Sequence, residues 1–312
     1  MPRDAPLRLA FVGQRTYFEP CTLQDPAAGV EPAFFDLRPS ATARELRDAL
    51  GAWAPDAVIA FRPDLVPPGA LDGLGAARVG WLTEPLPRPG VPAADTHPDL
   101  VLRLETLGDL DASQFDRIVC FDPTLIDTVE TVVPVWRSVP IPVSDRLFAP
   151  VGEPGAHPRL LFVGRSTAHR EAFLGPLKHE WDLLHLAHGV TGERLRGFMA
   201  EADVAVNLHN EPYPTFENRV QSSMAAGLLV LSEPLHPRFG LLPGVDHLEA
   251  AHPDEMYELV ARMERTPRAF RAMRLAGRRA AERFRASTVL PALVHDALAD
   301  VRRAGPGVTA LA

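Results

Sequence analysis

The sequence alternates short apolar runs with segments long enough for a helix, and this alternation starts twice. Residues 7–12 form an apolar run that ends at Gly13, and residues 160–163 form a second one that ends at Gly164. Strands that are buried on both faces of a parallel sheet are continuously apolar, and helices connect them. The pattern therefore predicts an α/β chain with two parallel sheets.

The apolar runs also predict where the elements lie. The expected strands are residues 7–12, 33–37, 57–61, 79–82, 100–104 and 117–121 in the first half, and 160–163, 183–186, 203–208 and 228–231 in the second. The expected helices are residues 41–53, 169–177, 192–200, 216–226 and most of 254–302. Ser40 would be the N-cap of the first of these helices and Thr215 that of the fourth. The last stretch should be interrupted at Pro267 and at 287–291, and Ser287 or Thr288 would start the last helix.

A proline- and glycine-rich stretch, residues 149–159, separates the halves and is typical of a linker. At 312 residues the chain is long enough for two hydrophobic cores. We expect two Rossmann-like parallel-sheet domains facing a cleft, over residues 1–148 and 149–290. A C-terminal helix and tail, residues 291–312, would pack back on the first domain.

Composition argues against several kinds of site. The two cysteines, Cys21 and Cys120, cannot by themselves form a disulfide framework or a zinc site. The net charge of −8 argues against a general nucleic-acid binder. No apolar run approaches the roughly 20 residues of a membrane span, and the N-terminus lacks a signal-peptide pattern, so we expect a cytoplasmic protein. Because Lys178 is the single lysine, an anion site must use arginine.

A first candidate site follows the first strand of the second half. It consists of Gly164, Arg165, Ser166 and Arg170, which lead into a helix. A helix N-terminus attracts anions, and each arginine adds charge-assisted hydrogen bonds of about 1.5–3 kcal/mol. This spacing predicts a diphosphate cradle, without the glycine pattern of dinucleotide-binding loops or the lysine of P-loops. The alternative is a set of solvated surface arginines.

A second candidate is the polar segment 207–219, which follows another expected strand and enters a helix. Its functional side chains include His209, Asn210, Glu211, Glu217, Asn218 and Arg219. A histidine is suited to proton transfer near neutral pH, so His209 and Glu211 are the candidate catalytic residues of this segment. The alternative for His209 is a hydrogen-bonding or structural role. The alternative is a capped helix with incidental polar residues. The histidines show no metal-ligand spacing, so no metal is expected.

Polar residues also follow strands in the first half. Gly13, Gln14 and Arg15 come after the first expected strand, and Glu84 comes after the fourth. Ligands bind at the carboxyl ends of strands in open α/β sheets, so these residues would face the cleft. Glu84 is expected as a catalytic base or as a carboxylate that binds the acceptor. Its alternative is a solvated acid in a turn before proline.

Taken together, the two-domain layout, the 164–170 loop and the segment ending at Met224–Gly227 resemble glycosyltransferases of the GT-B fold. More narrowly, the chain resembles the spore-maturation-type (CgeB-like) glycosyltransferase group. The resemblance covers the C-terminal half and is mainly architectural in the N-terminal half. It implies a metal-independent hexosyltransferase that uses a nucleotide sugar, for example a UDP- or GDP-sugar, and no cofactor. Arg165 and Arg170 take the places of the basic pair that holds the donor diphosphate.

The resemblance also implies the remaining roles. The donor sugar or ribose would be bound by Asn210, Glu217, Asn218 and Arg219, the nucleobase would lie near His188 and Gly189, and the acceptor would lie near Gly13, Gln14, Arg15 and Glu84. Many retaining members carry two glutamates eight positions apart, whereas Pro214 and Ser222 occupy those positions here. The alternatives are a nucleotide-sugar epimerase or hydrolase on the same fold, and a non-catalytic nucleotide-sugar-binding protein.

Overall fold

Two parallel sheets divide the chain into two units. The computed structural model describes residues 5–91, 96–155, 157–187, 189–190 and 192–304. Residues up to Pro142, together with those from Ala286 onward, form the first unit, and Val143–Arg285 form the second. The second unit begins and ends side by side, because the Val143 N–H donates to the Phe284 carbonyl at 2.7 Å.

The first unit, in its described part, contains a six-stranded sheet whose paired strands are all parallel. Its strands are β1 (Leu7–Gly13), β2 (Val30–Asp36), β3 (Ala57–Phe61), β4 (Ala77–Leu82), β5 (Arg117–Cys120) and β6 (Arg137–Ser138), in the spatial order β2-β1-β3-β4-β5-β6. The connecting helices are α1 (Arg15–Phe18), α2 (Ala43–Trp53), α3 (Pro98–Gly108) and α4 (Ile126–Val129).

The second unit contains, among its described residues, a five-stranded sheet that is also parallel. Its strands are β7 (Leu160–Val163), β8 (Leu183–Leu186), β9 (Val204–Asn207), β10 (Leu229–Ser232) and β11 (Leu248–Glu249), in the spatial order β11-β10-β9-β7-β8. Its helices are α5 (Ala168–Glu180), α6 (Gly192–Glu201), α7 (Asn218–Ala225), α8 (Pro253–Arg265) and α9 (Arg271–Ala280).

The last helix, α10 (Ala286–Ala304), belongs to the first unit. Its buried Leu290 and Val294 lie in the same hydrophobic cluster as Phe11 and Trp81 of the first sheet. Residues 286–290, expected in the C-terminal domain, therefore belong to the first unit. The helix begins at Ala286 rather than at Ser287 or Thr288, and it continues through Pro291 without the expected break.

The expected strand at 100–104 is wrong, because these residues lie in α3. His97 caps this helix and Pro98 occupies its first turn, where a proline is tolerated. Leu100 and Leu107 are buried, whereas Leu102 is 61% exposed. The apolar residues thus follow helical spacing on one face, and the exposed apolar residues between them made the run look like a buried strand.

Two expected N-caps and the expected linker are also wrong. Thr42, not Ser40, caps α2 through a capping box with Glu45, and Glu217, not Thr215, occupies the N-cap position of α7. Residues 149–159 lie within the second unit and do not connect the two units. The stretch begins with a backbone contact to α7, because the Ala149 N–H donates to the Ala225 carbonyl at 3.0 Å.

The close packing of α9 can be tested at Gly277. A Cβ at this position would lie 2.6 Å from the Asp246 carbonyl oxygen, so either the loop or the helix must move. We expect Gly277→Ala to lower the free energy of unfolding by about 1–3 kcal/mol in urea titrations. Gly197→Ala in α6 is the control, because a Cβ there would meet no other residue within 4 Å and alanine favours a helix by about 0.5–1 kcal/mol. Equal stability of the two variants would contradict this account.

Candidate functional site

The loop after β7 and the segment after β9 are joined by hydrogen bonds. Thr167 caps α5 by accepting the Arg170 N–H, and its hydroxyl donates to the Asn210 carbonyl at 3.0 Å. The Arg165 Nε donates to Asn210 Oδ1 at 2.8 Å. Both segments leave the carboxyl ends of neighbouring parallel strands, where ligands bind in this kind of sheet. The structure therefore brings the two candidate sites of the second half together.

Two guanidinium groups converge on the carbonyl oxygen of Leu208, an arrangement we call the arginine clamp. Arg170 NH2 and Arg219 NH2 each donate to this oxygen at 3.0 Å, and Arg170 Nε also lies within hydrogen-bond distance of it. Arg170 NH1 donates to the Arg165 carbonyl at 3.0 Å, and Arg219 NH1 donates to the Val163 carbonyl at 2.8 Å. The clamp thus fixes the backbone on both sides of the candidate site.

An aromatic ring and a carboxylate next to the clamp offset the repulsion between its two positive charges. The ring of Phe162 lies under both guanidinium groups, 5.4 Å from Arg170 Cζ and 5.6 Å from Arg219 Cζ. Glu217 Oε1 lies 3.2 Å from Arg219 NH2 and 4.0 Å from Arg170 NH2. Burial lowers the pKa of Arg170 to about 10, and the charge of Arg219 acts in the same direction. Arg170 therefore remains protonated at neutral pH.

Gly164 is required by this packing. A Cβ at Gly164 would lie 3.1 Å from Arg219 NH1, 3.2 Å from Phe162 Cζ and 3.3 Å from Arg170 NH1. Any larger residue would push against the clamp. The glycine that the sequence suggested for close approach to a ligand is thus also the glycine that makes room for two arginines.

The residues expected to contact the donor divide into buried and exposed groups. Arg165 and Ser166 are exposed, whereas Arg170 is only 4% exposed. The Ser166 hydroxyl donates to Glu171 Oε1, and this contact, after that of Lys178, lowers the pKa of Glu171. Asn218 begins α7, and its carbonyl accepts the hydroxyl of Ser222, the residue at one of the two family glutamate positions. That hydroxyl is therefore used inside the helix.

His209 is buried, and one ring nitrogen is already committed. Its Nε2 lies 3.0 Å from the Pro234 carbonyl, so this nitrogen carries the proton, while Nδ1 has no hydrogen-bond partner among the described residues. Burial lowers the pKa of His209, and the nearby Glu233 opposes this shift. The imidazole is therefore neutral at pH 7. Glu211, the other expected catalytic residue of the second half, is also buried.

Glu233 and His169 are functional-site residues that the sequence reasoning missed. Glu233 accepts the His209 N–H at 2.7 Å and the His169 Nε2–H at 2.8 Å. The available signal was the position of Glu233 directly after β10, which is paired with β9. His188 lies outside the described residues. Gly189 lies in the left-handed region with φ +73, and its expected role near a nucleobase stays a prediction.

The first unit contains its own polar cluster at strand ends. Glu84 follows β4, and its Oε1 lies 3.1 Å from Arg62 NH1, while its Oε2 lies 3.6 Å from Arg103 Nε. Arg62 directly follows β3 and adopts φ +56, a conformation that is strained for a residue other than glycine. Arg62 and Arg103 were missed because their sequence neighbours form no motif. Glu84 is thus an ion-paired residue and not a solvated turn acid.

The other expected residues of the first unit make local contacts. A Cβ at Gly13 would lie 3.2 Å from the Phe18 ring, so this glycine permits packing. The Gln14 carbonyl accepts the Phe18 N–H in the first turn of α1. Arg15 NH1 donates to Glu19 Oε1 at 2.5 Å, and its NH2 donates to the Phe34 carbonyl at 3.0 Å. Their expected roles toward an acceptor stay predictions.

Comparison with known proteins gives one family match, over part of the chain, and a set of similar folds. Residues 156–290 match the family model described as glycosyl transferase-like. No curated protein sequence matches the chain significantly. None of the described helices is long and apolar enough to cross a bilayer.

Solved structures with similar folds include three informative examples. HepE of Anabaena, solved in complex with UDP and glucose, is 11% identical with a TM-score of 0.60, covering 95% of this chain and 100% of that one. Sucrose-phosphate synthase from Thermosynechococcus elongatus is 11% identical with a TM-score of 0.58, at 95% and 100% coverage. A putative UDP-N-acetylglucosamine 2-epimerase from Listeria monocytogenes is 12% identical with a TM-score of 0.52, at 95% and 98% coverage. The chain therefore has the two-domain α/β GT-B fold.

The contribution of the arginine clamp to the free energy of unfolding can be tested by substitution. We expect Arg170→Met to lower the free energy of unfolding by about 2–3 kcal/mol, because buried carbonyl groups lose their donors. Arg165→Met, which changes an exposed side chain in the same loop, should change it by less than about 0.5 kcal/mol. Urea unfolding of both variants measures the difference. Similar losses in both would contradict the structural role of Arg170.

The burial of His209 predicts how the free energy of unfolding depends on pH. Its pKa in the folded protein lies below the ordinary value of 6.5, so the unfolded chain binds more protons as the pH falls below that value. The stability contribution of His209 is therefore complete above pH 6.5 and is lost on acidification. We expect His209→Gln to reduce the loss of unfolding free energy between pH 7.5 and 5.5. His247, whose pKa is also lowered by burial, should supply part of the remaining dependence. An unchanged pH profile would refute this assignment.

Proposed function

We propose that the chain is a glycosyltransferase that moves a hexose from a nucleoside-diphosphate sugar to an acceptor hydroxyl, without a metal ion or cofactor. The observation that carries the proposal is the pair of joined loops at the carboxyl ends of β7 and β9, with Arg165 exposed above the arginine clamp. The glycosyl transferase-like match over residues 156–290 and the GT-B fold support it. The complex of HepE with UDP and glucose supports a UDP-sugar as the first donor to test.

Arg165 is the residue that we propose to contact the donor diphosphate. Its side chain is exposed, its Nε is held by Asn210, and its backbone carbonyl is held by Arg170. When the bond between the sugar and the diphosphate breaks, negative charge grows on the leaving phosphate. A fixed guanidinium and the N-terminus of α5 would stabilise that charge, which is a large contribution in many enzymes. This arrangement can replace a divalent cation.

Arg170 has a different role in this proposal. The sequence suggested that it holds the diphosphate directly, but its Nε, NH1 and NH2 all donate to backbone carbonyls. We therefore assign Arg170 to positioning Arg165. Glu217, which lies beside both arginines of the clamp, and Asn218 at the start of α7 stay as the proposed contacts of the donor sugar or ribose.

One observation favours a second candidate, a nucleotide-sugar-binding protein without catalytic activity. At the position where many retaining relatives carry their second glutamate, Ser222 is buried and its hydroxyl donates to the Asn218 carbonyl. This residue therefore offers no carboxylate to a donor. Binding without turnover would follow if that carboxylate is indispensable.

The donor site is tested by nucleotide binding. We expect Arg165→Ala to weaken UDP binding more than tenfold in isothermal titration calorimetry, which corresponds to about 1.4 kcal/mol. Arg196→Ala, which removes an exposed arginine that is paired with Glu193 on α6, is the control and should leave the affinity unchanged. An Arg165→Ala affinity equal to that of the wild type would remove Arg165 from the site.

Product analysis then separates the candidate functions. The full chain is incubated with UDP-glucose and a panel of hydroxyl-bearing acceptors, with and without EDTA, and products are identified by mass spectrometry. Sugar transfer that is insensitive to EDTA supports the proposal. Donor conversion without acceptor indicates an epimerase or hydrolase, and stoichiometric binding without product indicates a binding protein.

A further inference from the structure

A cluster of charged side chains lies beside the loop after β7, outside the arginine clamp. The Ser166 hydroxyl donates to Glu171 Oε1 at 2.5 Å. The single lysine of the chain, Lys178, places its Nζ 3.0 Å from Glu171 Oε1 and 2.7 Å from Glu171 Oε2. Glu171 and Lys178 both belong to α5 and are about two turns apart. We call Ser166, Glu171 and Lys178 the Glu171 cluster.

His185 of β8 connects this cluster to the backbone of the same loop. Its Nε2–H donates to the Gly164 carbonyl at 2.8 Å, and its Nδ1 lies 4.0 Å from Glu171 Oε1. The Glu171 carboxylate is thus surrounded by an ammonium group, a hydroxyl and an imidazole. The hydrogen bonds from Lys178 and then Ser166 hold the pKa of Glu171 below its usual range, so this carboxylate is charged at neutral pH.

The negative end of the Glu171–Lys178 pair is the end nearer to the proposed diphosphate site. Glu171 contacts Ser166, which is the neighbour of the exposed Arg165 in the 164–166 loop. In the described part of the chain, the Lys178 ammonium group contacts Glu171 alone. A carboxylate next to an anion site repels the anion, and a cation behind the carboxylate reduces this repulsion. The pair is therefore oriented so that it weakens phosphate binding to the loop.

The donor and the product of the proposed reaction differ in charge at this place. In a nucleoside-diphosphate sugar, the terminal phosphate is esterified to the sugar and has one ionisable proton. In the released nucleoside diphosphate, the same phosphate has a second ionisable proton, with a pKa of about 6. Arg165 and the N-terminus of α5 alone would therefore hold the more negative product more tightly than the donor. A fixed carboxylate opposes this preference, because it repels the product more strongly.

We propose that Glu171 promotes release of the nucleoside diphosphate by lowering the affinity of the 164–166 loop for the product more than for the donor, and that Lys178 limits this repulsion. The Ser166 hydroxyl has a single proton to donate, so it must turn from Glu171 to bond a phosphate oxygen. Glu171 thus acts through charge and does not touch the reacting atoms. This inference rests on the proposed function, which puts the donor diphosphate at this loop.

The test compares UDP with UDP-glucose by isothermal titration calorimetry on the full chain, at pH 8 and low ionic strength, where surface charges are least screened. We expect Glu171→Gln to tighten UDP binding about fivefold and UDP-glucose binding clearly less, as one nearby charge can achieve. Partial misfolding cannot produce this result, because it would weaken both ligands. Glu180→Gln removes the same charge at the exposed end of α5 and is the matched control, which should leave both affinities unchanged.

Lys178→Met tests the other half of the pair. It leaves the Glu171 carboxylate without its main counter-charge, so UDP binding should weaken about fivefold. In the Glu171→Gln background the same substitution should have a smaller effect, because the lysine then has no carboxylate to neutralise. Arg196→Met, which removes an exposed cation on α6, is the control for this variant.

Where turnover is measured, UDP should inhibit Glu171→Gln at lower concentrations than it inhibits the wild type. The inference would be overturned by UDP binding that Glu171→Gln leaves unchanged or weakens, by equal tightening of UDP and UDP-glucose, or by the same gain from Glu180→Gln. An effect of Lys178→Met that is undiminished in the Glu171→Gln background would also overturn it. A wild-type chain that binds neither UDP nor UDP-glucose would instead overturn the proposed function, and the inference would fall with it.

Discussion

The Leu208 carbonyl oxygen accepts hydrogen bonds from the buried guanidinium of Arg170 and the partly buried guanidinium of Arg219, and the candidate donor site is built around this contact. Arg170 lies on α5 and Arg219 on α7, so one backbone oxygen connects both helices to the end of β9. Two like charges in a buried place repel each other, and they persist here because carbonyl oxygens, Glu217 and the Phe162 face surround them. Removing any one of these partners leaves a buried charge less well compensated.

The clamp also explains why arginine, and not lysine, suits these positions. A guanidinium group has five N–H donors in one plane, and Arg170 uses its three nitrogens on the carbonyls of Arg165, Leu208 and His209. An ammonium group donates from a single atom and could not hold three separated carbonyls. The scarcity of lysine in the sequence is therefore compatible with a site that needs several directions of donation from one side chain.

Much of the fold could be predicted from the sequence, because buried parallel strands leave continuous apolar runs. The run at 100–104 misled, since a helix with exposed leucine can contain equally continuous apolar residues. Parts of the site could be located because ligands bind at the carboxyl ends of parallel strands. This rule pointed to Glu84 and to the 207–219 segment. Burial could not be predicted: spacing treats Arg165 and Arg170 alike, while packing exposes one and buries the other. Glu233, Arg62 and Arg103 join their partners only through tertiary contacts.

The return of α10 to the first unit has a consequence for how the protein is made. Leu290 and Val294 belong to the same core as Phe11 and Trp81, so the first unit lacks part of its interior until the ribosome has synthesised α10. The second unit is contiguous in sequence, and its ends meet at Val143 and Phe284. Domains usually fold in the order of their synthesis. Here the second unit is fully synthesised before the last residues of the first unit are made. The N-terminal sheet therefore gains the last part of its core only after all residues of the second unit have been synthesised.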